Sequence, residues 1–269
     1  MKKNTFVLGA IVLAVGFALC VVSYASVGFD LKKLGDQAEF EQKTFIAQAA
    51  DVRALSILDE NNTIEVVPSE DDEITITYYE SPKDRYEVGI GQDGKLDMRY
   101  VNDRSWLERI GFQWGKRGTR VTVTMPAAFG GDMVIRTVNG ALLAQGIQVG
   151  TLNAENVNGE IRLSGIAAAG ESSIRTVNGQ VSLTDMATAS ATVTATNGRI
   201  EVKNVDSKGA LSLSTTNGTI SGTLSGSAQD YEIDASTVNG ANNLANSAGG
   251  GRLLSVHTVN GSIDIRFAS

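Results

Sequence analysis

Apolar and polar residues alternate on both sides of a recurring Asn-Gly pair in the second half of the chain. The residue four positions before each asparagine is alanine, valine, leucine or isoleucine, and the residues three and five positions after it are apolar in most copies. A period of two is that of β-strands, whose side chains point alternately to the two faces of a sheet. Gly146, Gly165, Asp185 and Asn204, each seven residues past an asparagine, are turn formers. Each copy therefore predicts a strand, an Asn-Gly corner, a second strand and a second corner.

These copies form an internal repeat, with starting points 19 to 22 residues apart. The asparagines are Asn139, Asn158, Asn178, Asn197, Asn217, Asn239 and Asn260, and the glycines are Gly140, Gly159, Gly179, Gly198, Gly218, Gly240 and Gly261. A degenerate eighth copy centres on Asn61, which is followed by Ile64 and Val66 at the same offsets.

Two architectures share this pattern. Asn-Gly between alternating strands is a strong hairpin signal and would give an antiparallel meander. A nearly fixed period with the same residue types at equivalent places is instead what a solenoid requires, because each coil stacks on the next. We therefore predict an all-β fold, a single-stranded β-solenoid or β-helix of about 20-residue coils.

The Asn-Gly corner carries three further expectations. The asparagine has the strand parity of the apolar positions before it, so its side chain should point inward and bond to its equivalents in a ladder. The glycine should take a positive φ at the corner. These residues are therefore interpreted as structural and not as a ligand site.

The N-terminal 29 residues predict a membrane anchor. Lys2 and Lys3 precede an uncharged, mostly apolar run that is long enough to span a bilayer. A signal peptide cleaved after Ala25 and a lipoprotein linked through Cys20 are the alternatives. The basic start favours an extracytoplasmic C-terminal domain, although Lys32 and Lys33 follow the apolar run closely.

The whole chain then divides into four parts: an anchor at 1–29, a stalk or linker at 30–50, an N-terminal β cap with the degenerate coil at 51–130, and the repeat solenoid at 131–269. Leu31 to Ala50 is polar and weakly amphipathic, which favours a helical stalk. Alternating segments between residues 51 and 130 predict strands that cover the first coil, as an exposed sheet edge requires.

Composition narrows the range of functions. Hydrophobic residues make up 42% of the 269, aromatic residues 6%, and the chain has 29 glycines and 3 prolines, which suits short strands and tight corners. The formal charge of −7 includes no basic stripe, so we expect no nucleic-acid partner. Cys20 is the one cysteine, so the folded part has no disulfide.

Candidate chemistry is sparse, and we expect no catalytic residue, cofactor or metal site. His257, the single histidine, occupies an outward position without an acid nearby by spacing. Zinc is excluded by the lack of Cys and His clusters. The acidic run from Glu70 to Glu73 is interpreted as a solvated turn and not a calcium loop. Glu160 and Glu201 have Arg162 and Arg199 close by, which favours charge ladders over the acid pair of a glycosidase.

One aromatic group stands out from this background. Tyr100, Trp106, Phe112 and Trp114 are either the core of the cap or a loop at the membrane surface. The alternative is a partner-binding role for Trp106, Phe112 and Trp114.

From residue 50 to 269 the chain resembles the putative-adhesin family of bacterial β-strand-repeat (β-solenoid) proteins, whose function is undefined. The resemblance rests on the anchor, the strand from Ile64 to Ser69 with its acidic turn, the stretch from Trp106 to Phe112 before Val121–Pro126, and the Asn-Gly repeats. It implies a membrane-tethered solenoid of the cell envelope, with some relatives linked to envelope-stress operons, and it supplies no catalytic residues.

Three functions follow as hypotheses. The first is a non-enzymatic envelope module that is held by its N-terminal helix and contacts a cell-wall polymer or an envelope protein. The second is a cytoplasmic-side scaffold that self-associates through its solenoid ends, because Ile263 to Phe267 nearly ends the chain and leaves its edge uncapped. The third is a polysaccharide-processing enzyme, which the lone histidine disfavours.

Overall fold

A computed structural model describes residues 40–102 and 120–268, and in these ranges the chain is almost entirely β-structure. The strands are β1 (Glu41–Gln48), β2 (Ala54–Leu58), β3 (Thr63–Ser69), β4 (Glu73–Glu80), β5 (Asp84–Ile90), β6 (Lys95–Asn102), β7 (Arg120–Pro126), β8 (Asp132–Thr137), β9 (Leu142–Gln145), β10 (Gln148–Val149), β11 (Leu152–Asn156), β12 (Ile161–Ser164), β13 (Ala167–Thr176), β14 (Val181–Thr184), β15 (Ala187–Ala195), β16 (Ile200–Ser207), β17 (Leu211–Asn217), β18 (Ile220–Ser225), β19 (Tyr231–Asn239), β20 (Arg252–Asn260) and β21 (Ile263–Ala268). Two 3-10 turns occupy Ala49–Asp51 and Ala228–Asp230.

The strands stack into two facing sheets. Sheet 1 runs β1-β4-β7-β3-β9-β12-β14-β16-β18-β21, and sheet 2 runs β5-β6-β2-β8-β11-β13-β15-β17-β20-β19, with the short β10 pairing with β13 as β11 does. Pairing is parallel throughout except at β1, β4 and β5. The strands on either side of an Asn-Gly pair, such as β8 and β9, belong to opposite sheets, so the hairpin alternative is wrong and the solenoid is the fold.

The predicted apolar positions fill the space between the sheets. Ile135, Ala154 and Ile174 are in register on β8, β11 and β13, and all are buried. Leu142 and Ile161 make the facing row on sheet 1. Because equivalent side chains of successive coils lie on one another, each coil extends a single continuous core, which a lone coil could not form.

The second corners confirm the turn formers identified in the sequence. Gly146, Gly165, Asp185 and Asn204 adopt φ angles of 65°, 63°, 50° and 54°. This left-handed conformation costs little for glycine and is tolerated by Asp and Asn better than by other residues. The chain can therefore turn from sheet 1 towards sheet 2 at the same place in four successive coils.

Stacking order departs from chain order at both ends of the solenoid. At the N-terminal end the coil of β2 and β3 lies beneath β6 and β7, which the chain forms later, and β4, β5 and β1 add antiparallel edges. At the C-terminal end β20 lies between β17 and β19, so the last coil is inserted under the preceding one. Each end of the repeat array is thus covered by a neighbouring part of the chain.

Residues 41–48 correct the expectation of a helical stalk. They form β1, which pairs over its whole length with β4, with Ala47 buried and Phe45 packed against the core. Edge pairing and burial of alternate residues outweigh a weak helical pattern in a polar segment. The anchor at 1–29 and the first part of the stalk lie outside the described residues. Within residues 40–102 and 120–268, no helix is both long enough and apolar enough to cross a membrane.

Candidate functional site

The Asn-Gly corner carries a continuous ladder of side-chain amides. Each Nδ2 donates to the Oδ1 of the neighbouring coil. The donor–acceptor pairs are Asn139–Asn61 (2.9 Å), Asn158–Asn139 (3.0 Å), Asn178–Asn158 (2.9 Å), Asn197–Asn178 (2.9 Å), Asn217–Asn197 (2.7 Å), Asn260–Asn217 (2.7 Å) and Asn239–Asn260 (2.8 Å). The structure thus joins all eight asparagines selected from the sequence, and Asn61 and Asn239 are the two ends of the ladder.

The ladder lies on the outer surface, which corrects the expectation that these side chains point inward. The residue two positions before the asparagine takes the inward place, as Thr137, Thr215 and Thr258 do. The Oγ1 of Thr215 donates to the carbonyl of Gly198 (3.0 Å), and the Oγ1 of Thr258 donates to that of Gly218 (3.0 Å). The next two residues both face solvent, so strand alternation stops at the corner.

The glycines of the pairs are required for a different reason from the one expected. None of the seven has a positive φ, so that expectation was wrong. A Cβ on Gly159 would instead lie 2.1 Å from the carbonyl oxygen of Gly140, and one on Gly198 would lie 1.7 Å from that of Gly179. Successive corners approach so closely that a side chain has no room, which is a second established use of glycine.

A row of exposed β-branched side chains, five valines and two threonines, runs beside the amide ladder. It is formed by the residue before each asparagine: Val138, Val157, Val177, Thr196, Thr216, Val259 and Val238. Val138, Val157 and Val177 keep 37–38% of their surface exposed, and Val238 at the end keeps 73%. Amide groups and β-branched side chains therefore recur together once per coil, at the strand spacing of about 4.8 Å.

The outer sheet faces carry small hydroxyl residues and paired charges. Arg136 contacts Glu155 on the neighbouring strand (3.2 Å), and Arg162 contacts Glu160 (2.7 Å). Glu201 accepts a hydrogen bond from Gln180 (3.2 Å), and no ion pair between Glu201 and Arg199 occurs in the described residues. Arg136 and Glu155 join two neighbouring strands, whereas Arg162 and Glu160 are two residues apart along the chain. Neither ion pair brings two carboxylates together as the acid pair of a glycosidase requires.

Sequence reasoning missed the neighbours of His257. Its Nδ1 lies 2.8 Å from the Oγ of Ser236, and its Nε2 lies 3.5 Å from a carboxylate oxygen of Asp234. Ser236 has the same offset from its asparagine as His257, so the repeat register could have found this contact. The three groups lie on the open outer face of β19 and β20, where no described residue encloses a substrate or supplies the oxyanion donors that acyl transfer requires.

A buried polar cluster closes the first corner. Asp59 accepts hydrogen bonds from the backbone nitrogens of Asn61 and Asn62, both at 2.8 Å, and from the hydroxyl of Tyr86. Asn62 Nδ2 also donates to the hydroxyl of Tyr86 (2.7 Å). Burial raises the pKa of the Tyr86 phenol far above its ordinary value, and the Asp59 carboxylate adds to the rise. This network has the form of a turn cap, with its acceptors occupied.

The C-terminal end is closed, contrary to the uncapped edge expected from the sequence. The side chain of Asn243 pairs with β21 as a peptide group would, accepting from the nitrogen of Ile265 (3.0 Å) and donating to its carbonyl (2.9 Å). Ser247 exchanges two backbone hydrogen bonds with Ile233 on β19. Asn246 accepts from the nitrogen of Ala235 (2.8 Å). The segment between β19 and β20 therefore forms hydrogen bonds with the outer edges of β19 and β21.

The aromatic group and the acidic run are the remaining candidates from the sequence. Trp106, Phe112 and Trp114 lie outside the described residues, so their partner-binding role stays a prediction. The acidic run from Glu70 to Glu73 forms a turn in which Ser69 Oγ bonds to Asp71 (3.1 Å). No group of three potential metal ligands occurs in residues 40–102 or 120–268.

The repeat, the two parallel sheets and the capped ends describe one folded unit, and a protein-family model called Toastrack DUF4097 matches it over residues 52–266. The chain belongs to the Toastrack family. The resemblance to the putative-adhesin group is thereby confirmed, since a solved structure that shares this fold is described as a putative adhesin. Comparison with curated proteins finds no match.

Three solved structures are similar to this Toastrack chain at low sequence identity. A putative adhesin from Bacteroides fragilis NCTC 9343 is 14% identical, with a TM-score of 0.53, over 86% of this chain and all of the other. A putative lipid binding protein from Parabacteroides distasonis ATCC 8503 is 12% identical, with a TM-score of 0.46, over 86% of this chain and 98% of the other. A putative cell adhesion protein from Clostridium sporogenes ATCC 15579 is 13% identical, with a TM-score of 0.36, over 86% of this chain and all of the other.

Proposed function

We propose that this Toastrack protein is a non-enzymatic, membrane-anchored β-solenoid on the extracytoplasmic side of the cell envelope, where it acts as a structural or adhesin-like interaction module. The observation that carries the proposal is the periodic outer corner, an amide ladder beside a row of exposed valines and threonines. Its functional groups are spread along a line and do not converge on a cleft, as they do at small-molecule sites. A linear, repeated surface fits an extended partner.

The anchor and the stack together suggest an orientation. The apolar run at residues 1–29 leads into β1, which lies at the N-terminal end of sheet 1. That end would then lie nearest the membrane. Seven steps of about 4.8 Å separate Asn61 from Asn239, so the corner would extend by about 34 Å along the stack.

The extended partner is a cell-wall polymer or the exposed strand of a neighbouring envelope protein. Asparagine offers a donor and an acceptor without charge, and valine offers apolar contact, which together suit an uncharged polymer backbone. Paired charges on the sheet faces, such as Arg136 with Glu155, are already neutralised and add little attraction for a charged ligand.

Two other functions receive less support. End-to-end polymerisation of a cytoplasmic scaffold would use a free sheet edge, whereas Asn243 and Ser247 occupy the outer edges of β21 and β19. Hydrolysis of a polysaccharide would use His257 or an acid pair, whereas His257 lies on an open face. An interaction module needs neither a free edge nor a reaction centre.

Co-sedimentation of the full chain with purified cell walls tests the proposal. The variant Val157→Arg with Val177→Arg places two charges on the corner and should abolish binding. Gln145→Arg with Thr192→Arg, which adds two charges to the exposed outer faces of the two sheets, is the matched control and should bind like the unaltered chain. Binding that survives the corner substitutions would refute the corner as the contact surface. Failure of the unaltered chain to sediment would leave an envelope protein as the partner, to be sought by cross-linking in intact cells.

A further inference from the structure

We infer that Asn239 is a site of spontaneous covalent modification, deamidation at the Asn239-Gly240 bond, and that the amide ladder protects the other six Asn-Gly pairs in the folded chain. The inference is independent of the proposed function. It rests on where each asparagine stands in the ladder and on the exposure of its neighbours.

The reaction needs only water. The backbone nitrogen of Gly240 loses its proton and forms a bond to Cγ of Asn239, while the bond from Cγ to the side-chain nitrogen breaks and ammonia leaves. Water then opens the resulting cyclic imide at either carbonyl, which gives aspartate or its isomer linked through the side-chain carbon. Because glycine has no Cβ, an Asn-Gly pair offers the least steric hindrance to this attack.

The ladder restrains the interior asparagines at both ends of the amide. Asn178, for example, donates to Asn158 (2.9 Å) and accepts from Asn197 (2.9 Å). Its amide must leave both partners before Cγ can turn towards the attacking nitrogen. Asn239 donates to Asn260 (2.8 Å), and in the described part of the chain no hydrogen bond reaches its Oδ1. It therefore has one restraint fewer than any interior member.

The backbone around Gly240 is also the most open. At two interior pairs the attacking backbone nitrogen is already hydrogen-bonded in the folded chain. The nitrogen of Gly261, which would attack Asn260, donates to the carbonyl of Asn239 (3.1 Å). The nitrogen of Gly218, which would attack Asn217, donates to the carbonyl of Asn260 (3.1 Å). Gly240 lies on the outermost coil and is exposed, and Val238 beside it keeps 73% of its surface exposed. Gly140, by contrast, is buried.

The opposite end of the ladder lacks this reactivity. Asn61 is followed by Asn62, whose side chain hinders attack, and the backbone nitrogen of Asn62 donates to Asp59 (2.8 Å). Asn239 is thus the single ladder end that is followed by glycine. A carboxylate at position 239 cannot donate to Asn260, so modification would also loosen the terminal coil.

The test is peptide mapping by mass spectrometry after the full chain, in mild detergent, has stood in mildly alkaline buffer. Asn239 should convert about five times faster than Asn178, since one net hydrogen bond is worth roughly that factor. The same chain unfolded in urea should convert at all seven Asn-Gly pairs at similar rates. Equal rates in the folded chain would overturn the inference, and so would an interior pair that converts first.

Asn260→Asp gives a second, local test. Aspartate still accepts from Asn239 but cannot donate to Asn217, so Asn217 should convert about five times faster while Asn239 keeps its rate. If the rate at Asn217 does not change, the ladder does not control the reaction. Should this variant fail to fold, the comparison of folded and unfolded wild-type chain still decides.

Discussion

Replacing a single glycine of the Asn-Gly corner by alanine should cost a large part of the stability of the fold. A Cβ on Gly179 would lie 1.8 Å from the carbonyl oxygen of Gly159, whereas ordinary contacts begin at 3.4 Å. The two corners would have to separate by 1.6 Å, the difference between these two distances. That displacement breaks two hydrogen bonds of Asn178: the one from its backbone nitrogen to the carbonyl of Val157 (2.7 Å) and the one from its side-chain Nδ2 to Oδ1 of Asn158 (2.9 Å).

The two lost hydrogen bonds and the strain of overpacking together predict a loss of about 3–5 kcal/mol for Gly179→Ala. A domain of this kind has about 5–15 kcal/mol in total, so the variant should unfold at a much lower urea concentration or fail to fold. Equilibrium unfolding in urea, followed by far-ultraviolet circular dichroism, measures the difference.

Gly251→Ala is the matched control, because a Cβ there meets nothing within 4 Å and the residue has no positive φ. This variant should be neutral or more stable by about 0.4–1 kcal/mol, since alanine restricts the unfolded chain. Equal urea midpoints for Gly179→Ala and Gly251→Ala would refute the reasoning that close approach of the corners requires glycine.

Three further predictions follow. Thr215→Val should lower the free energy of unfolding by about 1–3 kcal/mol, because it leaves the partly buried carbonyl of Gly198 without its donor. Thr176→Val should be neutral or stabilising, because in the described residues the buried Thr176 Oγ1 has no partner. Urea unfolding that ranks the two variants in the opposite order would contradict this. Asn178→Ala should cost about twice as much as Asn239→Ala, in proportion to the ladder bonds removed, and equal thermal midpoints would exclude a ladder contribution. Burial raises the pKa of Tyr86, so the folded chain holds this proton more tightly than the unfolded chain; stability should be unaffected below the ordinary pKa of about 10 and fall by up to about 1.4 kcal/mol per pH unit above it. Tyr86→Phe should make that decline shallower, while Tyr78, whose pKa burial also raises, still contributes to it. An unchanged alkaline slope would count against the prediction.

The repeat made the coils predictable. Ile135, Ala154 and Ile174 have the same offset from their asparagines, and equivalence along the chain becomes register in space when coils stack. The inner rows, the second corners and the members of the ladder could therefore be predicted position by position.

The corner itself was predictable only in part. Strand parity assigns Asn139 to the inner face, but two successive residues turn outward at the corner, and the sequence does not contain the angle of that turn. The role of Gly159 also depends on the distance between neighbouring coils, which no single coil specifies. Local rules assign glycine to a positive φ, whereas here packing between coils decides.

Both ends were the hardest part to anticipate. β20 follows β19 in the chain, yet β20 lies between β17 and β19 in the sheet. Because the repeats are equivalent in sequence, their pattern does not indicate which copy is outermost. Contact between His257 and Asp234 follows from this order. At the other end, β1 forms because β4 offers an open edge, and a short polar segment shows little of that in its own pattern.

The central claim, that the solenoid stands on the extracytoplasmic side of the membrane, is tested most directly by a single surface cysteine. Thr192→Cys on the exposed outer face of β15 can be treated with a membrane-impermeant maleimide, with the unaltered chain and its lone Cys20 as the background. Labelling in intact cells, with none in sealed inverted membrane vesicles, is the predicted result. Labelling only in the inverted vesicles would place the solenoid in the cytoplasm and contradict the account.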